Sequence, residues 1–363
     1  EMSASLVGSE MCIRDRSHPR LEFVCTVCEE VGMEGATGID VSMLKGKKLL
    51  NMDSEEEGVM LASCAGGCRA DVKLPVERET VSGTKLTVSL SGLTGGHSGS
   101  EIDKGRGNAN TLMSRLLRDA SAPVAIASID GGRKDNAIPR ECTAQIIVAP
   151  DKAAAVKASI EQAAAEIAEE FKASDPDIKL AVSEETDCSE SAISAKDSAR
   201  VIALIEALPN GIIRMSREID KLVETSLNLG VLKSDDDAVT LRYAVRSSVG
   251  VAKKSLKNQL VCIAGAFAAE VTFEGDYPAW EYKKDSKLRE DMVRIFEEMY
   301  GKKPTVEAIH AGVECGLLSG KIEGLDCISM GPDMYDIHTT EERLSISSAK
   351  RSYEYILRVI ACK

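Results

Sequence analysis

The chain has 363 residues, of which 44% are hydrophobic and 28% charged, and 58 acidic against 45 basic side chains leave a net charge of −13. That length is more than one simple core usually takes, so two domains are expected, in a composition ordinary for a globular protein. An acidic balance with a pI near 5.0 argues against a nucleic-acid footprint, no apolar run approaches the roughly 20 residues that span a bilayer, and no basic stretch leads into an apolar one as a secretory leader would. The eleven cysteines read as reduced core thiols, since a chain of this length without a leader is not a disulfide scaffold. Cys25 with Cys28 and Cys64 with Cys68 are the two close pairs. Only the first has the two-residue gap of a zinc knuckle, and it lies in an apolar alternating run, so a cysteine-zinc site is not the expected reading.

Residues 1–16 (EMSASLVGSEMCIRDR) have no periodicity and join abruptly to the segment after them. The string VGSEMCIRDR resembles translated sequencing-adapter sequence, so this segment is expected to be non-native, with the natural sequence resuming near Ser17 inside a domain. From Leu21 the run LEFVCTVC predicts a buried strand that stops at Glu29 and Glu30. A second short strand, KKLLNM, stops at Asp53 and is followed by SEEEG. Two strands delivering carboxylates at their C-terminal ends are what an open α/β sheet uses to build a site.

The texture changes near residue 73. LTVSL (86–90), TAQIIV (143–148) and VTLRYAV (239–245) alternate apolar and polar residues as half-buried strands do. Val156, Ile160, Ile167 and Phe171 fall on one face of an Ala- and Glu-rich helix, and Leu256, Leu260, Ile263 and Phe267 form a second helical stripe. This order predicts an α+β layer with helices on one face of a sheet. The stretch 173–200, rich in Asp, Ser and Glu, is expected to be a loop or irregular insertion. After YPAW (277–280) an α/β texture returns, with a helix through Leu288, Met292, Ile295 and Met299 capped by Asp285 or Ser286. Strands VEAIH and LDCISMG come next, then a helix over about 347–361. The simplest organisation is an α/β domain made from both chain ends (17–72 and 276–363) with an α+β domain (73–275) inserted into it.

Amide hydrolysis with a metal calls for His and carboxylate ligands and a separate carboxylate to take the proton from water. Only four histidines are available: His18, His97, His310 and His338. Glu29 and Glu30 suit that division of labour, although an adjacent Glu pair in a charged chain is usually solvated. Asp53 opens a run that is commonly a solvated turn. His97, in SGLTGGHSGSE, sits in a glycine turn able to present an imidazole to a pocket, and His338 lies in GPDMYDIHTTEERL. Singly, none of these is specific.

Together and in order, TVCEEVGMEGATGID, NMDSEEEG, ASCAGGC, GLTGGHSGSEIDKGRGNAN, DNAIPRE, PNGIIR, VETSLNLGV, YPAW, IHAGVECGL and SMGPDMYDIHTTEE resemble the aminoacyl-histidine dipeptidase family, relatives of carnosinases and aminoacylases among the co-catalytic zinc peptidases. The resemblance runs from residue 21 to the C-terminus. It implies a catalytic α/β domain, a mixed sheet flanked by helices, with the inserted α+β domain as a lid. Glu29 matches the general base, Glu30 and His338 ligands of one zinc, Asp53 a ligand of the other, and His97 the histidine that stabilises the tetrahedral oxyanion. Asn136, Arg246 and Gly312 match positions that contact substrate. Two Zn2+ ions per site are implied, with Mn2+ or Co2+ as alternatives, and the implied substrate is an unblocked dipeptide, Xaa-His included. A cytoplasmic location, a possible homodimer, and no nucleic-acid or membrane partner complete the expectation. N-acyl amino acid hydrolysis, as in the wider family, and a non-catalytic binding role are the alternatives. The family's His-x-Asp motif and bridging Asp should precede the strand ending at Glu29, and residues 1–20 match neither. Metal binding is therefore expected to be weak and the polypeptide as written inactive.

Overall fold

The computed structural model describes residues 18–29, 32–337 and 339–362. It divides into two compact units, one made of the chain up to Ala65 together with Pro278 onward, the other of Gly66–Tyr277. The boundary after Ala65 comes earlier than the change of texture near residue 73, because Gly66 already begins a strand of the inserted sheet.

In the first unit a short helix, α1 (Glu34–Gly38), precedes strands β1 (Lys48–Asn51) and β2 (Val59–Cys64). The inserted unit carries β3 (Gly66–Pro75), β4 (Arg78–Ser91), β5 (Gly96–His97), α2 (Ala109–Arg118), β6 (Ala125–Gly131), β7 (Ala137–Ile138) and β8 (Cys142–Val148). It continues with α3 (Ala153–Phe171), β9 (Lys179–Ile193), α4 (Ala195–Ala207), β10 (Gly211–Met215), β11 (Val223–Ser234), β12 (Ala238–Ser247), α5 (Gly250–Ala266) and β13 (Glu270–Tyr277). The chain then returns to the first unit with α6 (Lys287–Tyr300), β14 (Thr305–Ile309), α7 (Glu314–Lys321), β15 (Asp326–Ser329), the β16 (Met334–Tyr335) and β17 (Arg343–Leu344) hairpin, and α8 (Ile346–Ile360).

The first unit is α/β. Its four-stranded sheet runs β1-β15-β2-β14, with β1 parallel to β15 and β14 parallel to β2. Both faces are covered, as parallel pairing requires. Met60, Ala62 and Ile328 pack with Met292, Ile295 and Phe296 of α6 and Tyr355 and Val359 of α8. Cys64 and Cys327 pack with Cys315 of α7, Val313 and Trp280. Ser286 caps α6 by accepting from the Arg289 N–H at 3.0 Å, which settles the choice between Asp285 and Ser286.

Leu21–Cys28 is not the buried strand that its alternation suggests. It has no regular structure, and Phe23 and Val27 are 72% and 68% exposed. A strand is completed by a neighbour, and no described strand forms a ladder with this segment. It is tied locally instead, through the Glu22 carboxylate accepting from Lys45 and Gly46 N–H groups and the Val27 carbonyl accepting from Gly35 N–H.

The inserted unit is α+β. Its nine-stranded antiparallel sheet runs β13-β3-β12-β11-β6-β8-β4-β9, with β10 beside β11. One continuous core joins this sheet to α2, α3, α4 and α5, with Leu86, Val88, Ile126, Ile146, Val156, Ile160, Val239 and Leu260 among its buried residues. All three predicted strands and both predicted helical stripes are present. The stretch 173–200 corrects the expectation of a loop. Its residues Lys179–Ile193 form β9, paired antiparallel to β4 from Ser91↔Lys179 to Arg78↔Ile193, and α4 starts at Ala195. An edge strand with charged, exposed positions looks like a loop in one-dimensional sequence because its partner lies far off in the chain.

All ten described cysteines are free thiols, and the described residues contain no group of three or more His, Cys, Asp or Glu that could hold a metal ion. Cys25, Cys28 and Cys262 are exposed rather than in the core, whereas Cys64, Cys68, Cys142, Cys188, Cys315 and Cys327 are buried. Burial pushes the Cys64 thiol up, and that of Cys68 to about 11, which makes both poor nucleophiles. Among the described residues no helix is long and apolar enough to cross a membrane.

Candidate active site

In the first unit Asp53 follows the C-terminal end of β1, beside the parallel strand β15. The Asn51 side-chain oxygen accepts from Asp53 N–H (2.9 Å) and from Ser329 Oγ (3.0 Å), while the Ser54 and Ser329 hydroxyls meet at 2.8 Å. This polar lock across two strand ends fixes the backbone that carries the exposed Asp53 carboxylate. Glu29 is half-buried in a turn whose main chain closes on itself, its carbonyl accepting from Gly32 N–H (3.2 Å) and Met33 N–H (3.0 Å). Gly312 lies between β14 and α7, half-buried, two residues after the buried His310. Glu30 and His338 lie outside the described residues. Asp53 is thus the one member of the expected donor set on which the fit to a divalent metal can be judged. An exposed, acceptor-only carboxylate at parallel strand ends suits that role, but one carboxylate does not by itself hold a metal.

In the inserted unit the structure brings His97, Asn136 and Arg246 into one neighbourhood. His97 pairs with Ala137 across the β5/β7 ladder, and Ser98 N–H donates to the Asn136 carbonyl at 2.9 Å. The turn at Asn136 is held from below. Buried Asn228 donates to the Asp135 and Ala137 carbonyls, both at 2.9 Å, and Arg69 pairs with the Asp135 carboxylate at 2.9 Å. Gly96 sits at φ 141°, and a Cβ there would collide with Arg106 Nη1 and meet Glu101 Oε2 at 2.7 Å. The positive φ strains any side chain here, while the two side-chain ends could move aside.

The His97 ring is oriented by its own loop. Nδ1 accepts from the N–H groups of Gly99 (3.3 Å) and Ser100 (3.2 Å), which leaves the proton on Nε2. Burial pushes the imidazole below its ordinary value of 6.5, and the positive Arg246 guanidinium lowers it further against an opposing pull from Glu101. The ring is therefore a neutral Nε2–H donor at pH 7. The unfolded chain binds that proton more readily, so the stabilisation from this group is present above about 6.5 and lost as pH falls through the lower folded value. A histidine-selective nitrogen NMR titration should find His97 titrating below 6.5 with Nε2 protonated; a midpoint above 6.5 would contradict this electrostatic account.

Arg246, on β12, donates through Nη1 to the Tyr277 hydroxyl at 3.3 Å. Its buried Nε has no hydrogen-bond partner among the described residues. A buried donor left unmatched costs about 1–3 kcal/mol, so the arrangement is ready to accept a carboxylate or carbonyl oxygen. Tyr277, Asn228 and Glu101 are hydrogen-bonding neighbours of these candidate residues and of the turn at Asn136 that the sequence reading did not single out. Each lies in a quoted string, Tyr277 in YPAW, Asn228 in VETSLNLGV and Glu101 in GLTGGHSGSEIDKGRGNAN.

An α/β unit built from both chain ends, interrupted by an antiparallel sheet, is joined here to a family match. Residues 88–175 match the M20 peptidase dimerisation domain. The chain is 35% identical over 335 residues to the cytosol non-specific dipeptidase of Escherichia coli K12, covering 91% of this chain and 69% of that protein. It also superimposes on the crystal structure of aminoacylhistidine dipeptidase from Vibrio alginolyticus with a TM-score of 0.85 and 33% identity, over 92% of this chain and 69% of that one. The chain belongs to the cytosol non-specific dipeptidase family. That membership agrees with the α/β and inserted α+β fold class and with the family resemblance read from the ordered motifs.

Proposed function

We propose that this protein hydrolyses the peptide bond of unblocked dipeptides, Xaa-His among them, in the cytoplasm. The observation that carries the reading is Arg246, a half-buried guanidinium with an unmatched Nε whose positive charge acts on the neutral Nε2–H imidazole of His97. Such a pair suits a small substrate with a free terminal carboxylate and a carbonyl that gains negative charge. In this reading Glu29 takes the proton from the attacking water and passes it to the leaving amine, so the amide bond breaks into a carboxylate and an amine. His97 donates to the developing oxyanion, Arg246 grips the terminal carboxylate, and Asn136 and Gly312 contact the substrate backbone. Glu30, Asp53 and His338 are the proposed ligands of a pair of divalent ions, zinc first, with manganese or cobalt as substitutes. Such a cofactor, when bound, lowers the pKa of water to about 7. The match to a dimerisation domain supports a homodimer.

A substrate panel on the full chain tests this. Hydrolysis of free dipeptides, lost on chelation and restored by zinc, with N-acylated amino acids as poor substrates, supports the reading and overturns the inactivity expected of a polypeptide whose residues 1–20 match no His-x-Asp motif. Comparable turnover of the acylated amino acids would make the enzyme an amidohydrolase instead. Failure to hydrolyse either class with metal supplied would match that expected inactivity, and zinc binding retained without turnover would leave a binding role.

A further inference from the structure

We propose that Asp175 is a positioning residue that clasps the two ends of the His97 loop and thereby sets the imidazole for catalysis, an inference that rests on the role proposed for His97. Asp175 is 1% exposed, in the turn after the C-terminus of α3. One carboxylate oxygen accepts from Thr94 N–H and the other from Gly107 N–H, both at 2.8 Å. Thr94 and Gly107 are the residues at which the chain enters and leaves the loop that holds His97. The Ser174 hydroxyl gives the same carboxylate a third donor at 2.8 Å, and Thr94 Oγ1 donates to the Ser174 carbonyl at 2.8 Å. Within the loop, Glu101 accepts from His97 N–H (2.8 Å) and from Arg106 (2.9 Å), and Arg106 also donates to the Gly95 carbonyl. Those bonds give the loop its shape, while the carboxylate anchors that shape to the end of α3.

A buried carboxylate is costly unless fully matched, and here three donors match it. A neutral amide cannot copy the pattern, because its NH2 would face one of the main-chain N–H groups. Relaxing one end of the loop would loosen the Gly99 and Ser100 N–H groups that keep the His97 proton on Nε2. Placement within a few tenths of an ångström is what an oxyanion donor needs.

The test compares the full chain with Asp175→Asn, His97→Ala and the double variant. Histidine-selective nitrogen NMR should show His97 moving from one Nε2-protonated tautomer toward a mixture in Asp175→Asn. kcat on a free dipeptide should fall tenfold or more with KM within threefold, and the same substitution should cost less than twofold in the His97→Ala background. An unchanged His97 ring signature overturns the proposal, as does an equal fold-loss in both backgrounds. If His97→Ala itself leaves kcat unchanged, the role of His97 has failed, and the ring signature still decides the clasp. Should Asp175→Asn not fold, Ser174→Ala removes one of the three donors; it should move the ring in the same direction by less, and no movement overturns the proposal.

Discussion

Replacing Glu29 by glutamine is expected to lower kcat on free dipeptides by about 10²–10⁴-fold, the usual worth of a positioned proton acceptor, with KM changed only a few-fold. The substitution keeps size and hydrogen-bonding reach but removes the ability to accept a proton. It should not reshape the turn, because main-chain bonds from Gly32 and Met33 to the Glu29 carbonyl close it. The turn also relies on left-handed backbone at Cys28 (φ 56°) and Met33 (φ 56°), which a change at Glu29 does not touch. Metal content separates this role from that of a ligand. Glu29→Gln should bind as much zinc as the unmodified chain, whereas Asp53→Ala should bind less. Retention of kcat within threefold in Glu29→Gln would remove Glu29 from the chemistry, and loss of zinc would make it a ligand.

How much of this was legible in the sequence depends on whether a feature is local. The face carrying Val156, Ile160 and Ile167 is local, and those three side chains are buried on α3. The alternation of LTVSL and VTLRYAV is local too, and each is a strand of the large sheet. Strand β9 is not local. Its backbone is satisfied by β4, about a hundred residues earlier; Leu180 and Val182 alternate and pack on the core, but the charged, exposed positions that follow carry no period to read. Leu21–Cys28 fails in the opposite sense, since alternation is present but a strand also needs an edge to pair with. For the candidate site, individual residues gave weak signals, and the ordered motifs supplied the roles proposed for them. Asn228 lies in the quoted string VETSLNLGV, whereas Asp175 lies in none and had no signal of its own. A buried polar side chain that holds main-chain N–H or C=O groups is recognisable only after the chain has brought those groups to it.

Arg246→Ala is expected to reduce kcat/KM for free dipeptides by about 30-fold to several thousandfold, since truncating one partner of a buried charge pair costs roughly 2–5 kcal/mol. The guanidinium is held before any substrate arrives. Tyr277, which accepts from Arg246 Nη1 at 3.3 Å, lies against Gly67, where a Cβ would meet its hydroxyl at 2.6 Å and its ring carbon at 2.8 Å. The Tyr277 backbone is gripped in turn by buried Lys253, which donates to its carbonyl and pairs with Asp276 at 2.7 Å. A preset fork loses little freedom on binding a carboxylate, which is where its advantage over a lysine arises. Arg246→Lys should therefore recover only a small part of the loss. The decisive comparison is a dipeptide against its C-terminal amide, which lacks the negative charge. The unmodified chain should strongly prefer the free acid, and Arg246→Ala should reduce that preference to near unity by lowering turnover of the acid while leaving that of the amide little changed. If the acid-to-amide ratio survives the substitution, the terminal carboxylate is read elsewhere and the case for Arg246 is lost.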